Sequence, residues 1–160
     1  MSRFAYGQIL IVLPSPSLAQ KEESLLQLAN KLAKGLGVEL EIIFLINCSL
    51  THYGEVDTLA SFKDKKDFIS YVCDLEREEQ EGLKKRLENI CPDSQVTFLE
   101  QANLATFLKD KKDNILFTLV FTHKKHSSIF SRLPSFIKTL EKIGLNILYI
   151  RDINTIARYL

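Results

Sequence analysis

The sequence predicts an α/β domain: a five-stranded parallel sheet in strand order 3-2-1-4-5, with helices on both faces. Three features carry this expectation. Short apolar runs rich in β-branched residues alternate with longer stretches of helical periodicity, giving β-α-β-α-β-α-β-α-β along the chain. Two of the runs, Gln8 to Leu13 and Ile115 to Thr122, are continuously apolar, so they need cover on both faces and belong at the centre of the sheet. The segments between strands are long enough to act as the crossover connections that parallel neighbours require.

The first strand, QILIVL, stops at Pro14. A helix is expected from Ser17 to Lys34, with Ser17 as its N-cap. Its stripe is Leu18, Leu25, Leu28, Ala29, Leu32 and Leu36, and Gly35 and Gly37 end it. Val38 to Ile46 is the second strand, alternating at first and wholly apolar later. Asn47 to Asp67 reads as a long connection with a short helix near Val56 to Phe62. A long helix follows from Phe68 to Ile90, with Phe68, Val72, Leu75, Leu83, Leu87 and Ile90 on its buried face. Gly82 within it costs about 1 kcal/mol relative to alanine. Gln95 to Leu99 is the third strand. Ala102 to Lys109 is a short helix with Leu104, Ala105 and Leu108 inward. Leu133 to Ile143 is the last main helix, closed by Gly144, and Asn146 to Ile150 is the fifth strand. Residues 1–151 thus form one domain. Residues 152–160 form a short tail in which Ile153, Ile156, Ala157 and Leu160 recur at amphipathic helical spacing.

A chain of 160 residues can bury a core without disulfides or a metal. Hydrophobic residues make up 46% and charged residues 26%, the balance of a soluble globular protein. The net charge of +1 creates no field that would recruit nucleic acid or an anionic membrane. No run of 18 apolar residues predicts a membrane-spanning helix. Cys48, Cys73 and Cys91 are odd in number and widely spaced, with no C-x-x-C pair, which fits free thiols in a reducing cytoplasm.

In an open α/β sheet ligands bind beyond the carboxyl ends of the strands. The loops to consider are therefore Pro14-Ser15-Pro16-Ser17, the stretch from Asn47, and Thr122-His123-Lys124-Lys125-His126-Ser127-Ser128. The last places cations and hydroxyls between a central strand and a helix, where they could hold a phosphate. The reading as a solvated basic loop weighs more, because the stretch has no glycine to let backbone approach a phosphate closely. His123 and His126 have an H-x-x-H spacing but no Glu or Cys in support, which argues against a metal. Cys48 and His52 lie four apart without a third catalytic partner. There is no G-x-S-x-G elbow and no P-loop. The acids of a phospho-receiver domain are missing after the first and third strands.

Several stretches resemble the universal stress protein family from Gln8 to Arg151. They are the opening I-L-I-V-L, the helix ending L-A-K-G-L-G-V-E-L, Thr122-His123 after the fourth strand, Ser131-Arg132-Leu133-Pro134-Ser135, and the closing N-I-L-Y-I-R. The resemblance implies the fold above and a dimer that pairs through the final strand. It also implies an ATP site, from which this sequence departs. ATP-binding members carry an Asp after the first strand; here Pro14 stands there. Their glycine motif is Gly, two residues, Gly, nine residues, Gly, then Ser or Thr. Lys124 and Ser127 occupy its first two places, and no glycine occurs between Gly82 and Gly144. Ser135 corresponds to the Ser/Thr, at a shorter interval.

These readings lead to the expectation of a non-enzymatic, cytoplasmic domain that binds a partner or small ligand and needs no cofactor. It would form a homodimer through the fifth strand and tail. An adenine nucleotide or other anion, if held, would lie against Thr122, His123, Lys124, Lys125, Ser127 and Ser135. The alternative is a regulatory domain of a transporter or sensor kinase that reads an adenine nucleotide through a non-standard site. A nucleotide-dependent hydrolase is the third possibility.

Overall fold

A computed structural model describes residues 7–46, 62–121 and 135–150. The elements are β1 (Gln8–Leu13), α1 (Gln20–Leu36), β2 (Glu39–Ile46), α2 (Phe62–Ile90), β3 (Gln95–Glu100), α3 (Leu104–Lys109), β4 (Ile115–Phe121), α4 (Ser135–Ile143) and β5 (Ile147–Ile150). Short 3-10 turns at Gln101–Asn103 and Lys112–Asn114 flank α3. All strand pairs are parallel and the order is β3-β2-β1-β4-β5, with β1 and β4 adjacent near the centre as expected.

Alternation along the strands divides the core in two. Ile9, Ile11, Leu13, Leu40, Ile42, Phe44 and Leu119 face α1 and α2, meeting Leu25, Leu26, Leu83 and Leu87. Leu10, Val12, Ile43, Leu45 and Val120 face α3 and α4, meeting Leu104, Leu108, Phe136, Ile137 and Leu140. Both faces of β1 and β2 are therefore dry, which is why their sequences are nearly continuous apolar runs. At the start of β4 the register with β1 shifts: Gln8 pairs with Ile115 and Ile9 with Phe117. The extra residue, Leu116, is left exposed.

Several sequence expectations are corrected. Helix α1 starts at Gln20, and its N-cap is Ala19, not Ser17. The Ser17 hydroxyl lies 3.0 Å from that of Ser15, and its N–H donates to the Ser15 carbonyl at 2.8 Å, so Ser17 belongs to the preceding turn. Glu22 and Glu23 compensate the uncapped helix start by opposing its positive end. Gly37, left-handed at φ 69°, ends the helix, while Gly35 lies inside it. Leu36 is exposed, and Leu26 and Ala33 complete the buried stripe. Helix α2 begins at Phe62, six residues before the expected start, and Leu75 is exposed. Phe68 and Val72 lie outside the described side chains, and the short helix expected near Val56 falls largely outside the described residues. The short helix expected at Ala102 opens as a 3-10 turn, and Ala105 faces solvent while Phe107 packs on the core.

One buried group was not expected. Glu41, on β2, is 1% exposed on the face covered by α3 and α4. Lys111 reaches it at 3.0 Å, and the same ammonium lies 4.3 Å from the centre of the Phe107 ring.

Candidate functional site

The carboxyl ends of β1, β2 and β3 converge on a crevice of about 170 Å³ lined by Pro14, Ser15, Pro16, Leu45, Ile46 and Gln101. Each lining residue is placed by the end of a strand. Pro14 stops β1 because it supplies no ladder donor. Leu45 and Ile46 are the last residues of β2, and Gln101 follows β3 directly. The floor is apolar, from two prolines, Leu45 and Ile46. The polar groups are the Ser15 hydroxyl, already close to Ser17, and the Gln101 carboxamide. None of these described lining residues carries a charge, so they offer a neutral molecule contact and hydrogen bonds but supply no counter-charge for a phosphate chain.

Of the residues singled out in the sequence for an anion or nucleotide, Ser135 is described. It is the first residue of α4, exposed, and its hydroxyl accepts a hydrogen bond from Gln101 Nε2. Thr122, His123, Lys124, Lys125 and Ser127 lie outside the described residues, as do His126, Cys48 and His52. The structure thus brings Ser135 to the crevice through Gln101, a residue that sequence reasoning missed. The available signal was position: Gln101 is the first residue beyond a parallel strand, where ligand groups gather.

A second depression, of about 260 Å³, lies at the opposite end of the sheet between the end of α2 and the start of β3. It is lined by Lys84, Glu88, Cys91 and Ser94 among others. Cys91 is 1% exposed, and burial pushes its thiol up to about 11, against a smaller opposing pull from Lys34. The thiol lies 3.5 Å from the Leu26 carbonyl. Such a group stays protonated near neutrality and is not a nucleophile. Among the described residues no group of three or more His, Cys, Asp or Glu could hold a metal ion. No described helix is long and apolar enough to cross a membrane.

No family model and no curated protein matches this sequence. Solved structures do match its architecture. The universal stress protein UspA from Lactobacillus plantarum aligns with 92% of this chain and 99% of its own, at 12% identity and a TM-score of 0.58. The hypothetical protein MJ0577 aligns over 92% and 96%, at 14% identity and a TM-score of 0.52. A universal stress protein in complex with cAMP aligns over 92% and 98%, at 12% identity and a TM-score of 0.50. What this likeness defines is the class of fold: a universal-stress-protein-like α/β domain.

Proposed function

We propose that this chain is a non-enzymatic universal-stress-protein-like domain that acts by binding a small ligand at the carboxyl-edge crevice, and that it does not use ATP. The observation that carries this reading is Pro14 at the mouth of β1. Its ring offers neither a carboxylate nor an N–H to a ribose, and it joins Pro16, Leu45 and Ile46 in an uncharged lining. With the family's glycine motif also replaced, nothing described at this edge compensates a triphosphate. The likeness to a universal stress protein in complex with cAMP makes cAMP the natural first probe. For an anionic portion the sequence offers Ser135 together with Thr122, His123, Lys124, Lys125 and Ser127. The domain acts in the cytoplasm as a homodimer joined through β5 and the tail, and a regulatory protein partner reads its state.

A thermal-shift series with ATP, AMP and cAMP tests this. A ligand at 100 times its Kd stabilises by about 2.7 kcal/mol. For a domain of this size that raises Tm by roughly 5–10 °C. The expected result is no shift with millimolar ATP and a shift with a ligand of lower charge. Low-micromolar ATP affinity by calorimetry, or ATP hydrolysis above the buffer rate, would overturn the reading.

A further inference from the structure

The two edges of the sheet differ: β5 ends it on one side, and β3 ends it on the other with a groove beside it. Which β3 residues face outward follows from the ladder. Parallel strands share one hand, so residues whose side chains lie on the same face turn their N–H and C=O groups to the same side. Glu39 N donates to Gly7 O at 3.2 Å, and Thr118 N to Asn146 O at 2.7 Å. By alternation Glu39 shares the α3 and α4 face with Glu41, and Thr118 shares it with Val120; both point toward the β5 side. Val96 and Phe98 pack on the other face, with α1 and α2. They therefore point away from β2, and their backbone donors and acceptors have no partner among the described residues. The depression of about 260 Å³ flanks these same groups. On α2, Arg86 donates to the Leu18 carbonyl and the Ile90 carbonyl accepts from Asn30, so that flank faces α1. Lys84 and Glu88 stand on the other flank, one turn apart and both exposed, above a floor of Leu87, Pro92 and Val96. Neither has an ion-pair partner among the described residues. The Lys84 ammonium lies 5.7 Å from the centre of the Phe98 ring, while Glu88 lies one turn nearer the start of β3. The groove is thus positive beside Phe98 and negative beside Ser94.

We propose that this groove takes an extended segment of a protein partner as an added antiparallel strand on β3. A free strand edge offers donors and acceptors at a two-residue repeat, which an extended chain matches and a small molecule does not. Antiparallel pairing is the more stable per residue. Residues of the added strand opposite Phe98 and Val96 turn their side chains to the α2 face, over the groove. The one opposite Phe98 meets Lys84 and is acidic. The next on that face, opposite Val96, is apolar and fills the floor. The one beyond meets Glu88 and is basic. The recognised pattern is therefore acid, any, apolar, any, base. This rests on the reading that the domain has a protein partner. The groove is separate from the carboxyl-edge crevice, so its failure leaves the small-ligand reading standing.

Amide hydrogen exchange, read residue by residue by NMR, tests this first without a partner. In the free protein Val96 and Phe98 should exchange several-fold faster than Thr97 and Leu99, whose groups turn to β2. Equal protection of all four would mean that the edge is already paired, and protection of Val96 and Phe98 that grows with protein concentration would give the edge to a second copy; either result overturns the proposal. The second arm titrates a short capped peptide in which threonines alternate with aspartate, leucine and lysine, in that order. At millimolar peptide the Val96 and Phe98 amides should slow several-fold. N-methylation at the leucine removes a ladder donor and should abolish the effect. Lys84→Glu should weaken binding roughly fivefold, and lysine in place of the peptide aspartate should restore it. Lys84 is exposed, so the variant is expected to melt as wild type does. No slowing at millimolar peptide, slowing at Ile147 and Tyr149 instead, or equal binding of the N-methylated peptide would each overturn strand addition at β3. Unchanged binding by Lys84→Glu would overturn the assigned charge pattern.

Discussion

At the scale of single residues the most consequential group is Glu41. A carboxylate inside an apolar layer is tolerated because Lys111 reaches it, but the second carboxylate oxygen has no hydrogen-bond partner among the described residues. Removing the lysine strands the buried charge. Lys111→Met should therefore cost roughly 3 kcal/mol, about 6–12 °C in Tm, because breaking a buried pair leaves one ion unpaired. Lys111 is about one-third exposed, which places the expectation at the low end of such cases. The double variant Glu41→Leu with Lys111→Met should recover most of that loss. Urea melts decide it, and a single-variant cost below about 0.5 kcal/mol would class the pair with surface ion pairs. Cys91 makes a second prediction. Burial raises its thiol from 9.0 to about 11, so the folded state holds the proton more tightly than the unfolded chain. The stabilisation is fully present below pH 9 and is lost as pH rises toward 11. Mass spectrometry after iodoacetamide at pH 8 should find Cys91 unmodified in the native protein and labelled in urea, with half-buried Cys73 labelled in both. Native labelling of Cys91 at the rate of Cys73 would contradict its burial.

At the scale of elements, the edge strand β5 separates backbone from side chain. The N–H of Thr118 donates to the carbonyl of Asn146 at 2.7 Å. In a parallel ladder alternate residues turn their groups to the same neighbour, so Leu148 and Ile150 bond to β4 while Ile147 and Tyr149 point theirs at the free edge. Leu148→Pro should thus lose a ladder bond and destabilise the protein by more than Tyr149→Pro, which loses mainly the exposed phenol bond to Glu141. Equal losses in a thermal melt would mean the pairing is otherwise. Edges also show what sequence could and could not disclose. The strand order was legible because β1 and β4 are apolar on both faces, and the Gly37 and Gly144 stops were legible because only glycine accepts their positive φ easily. Two helical positions were misjudged. Leu36 and Leu75 were assigned to the buried stripes by periodicity, but they are 46% and 42% exposed. Helix α2 is 29 residues long, about 43 Å, against about 26 Å for the eight residues of β2. The burial of Glu41 was not legible, because its partner is 70 residues away and no local pattern announces it. In the crevice Pro14 was legible as a departure, whereas Gln101 required knowing which strand ends stand together.

At the scale of the whole molecule, the sheet formed by the described residues is closed at neither edge, and β5 is the edge whose exposure calls for a partner. Its sequence, Ile147-Leu-Tyr-Ile150, has no charge and no proline, and Leu148 and Tyr149 are 49% and 43% exposed. An unpaired strand with these properties is a template for further pairing, and proteins usually blunt such edges with charge, proline or a bulge. A two-fold contact that pairs β5 with its copy would satisfy the free groups of Ile147 and Tyr149 in both protomers. It would also cover Leu148 and join the two sheets into one. We therefore predict a homodimer. Light scattering at micromolar concentration should return about twice the chain mass of 18.3 kDa. Tyr149→Pro is the decisive variant, since it removes a donor at the free edge while keeping the β4 ladder. It should return the monomer mass while melting within a few degrees of wild type, after allowance for the lost interface. A wild-type monomer sinks the prediction outright. A Tyr149→Pro variant that stays fully dimeric keeps the dimer but moves its interface away from the β5 backbone.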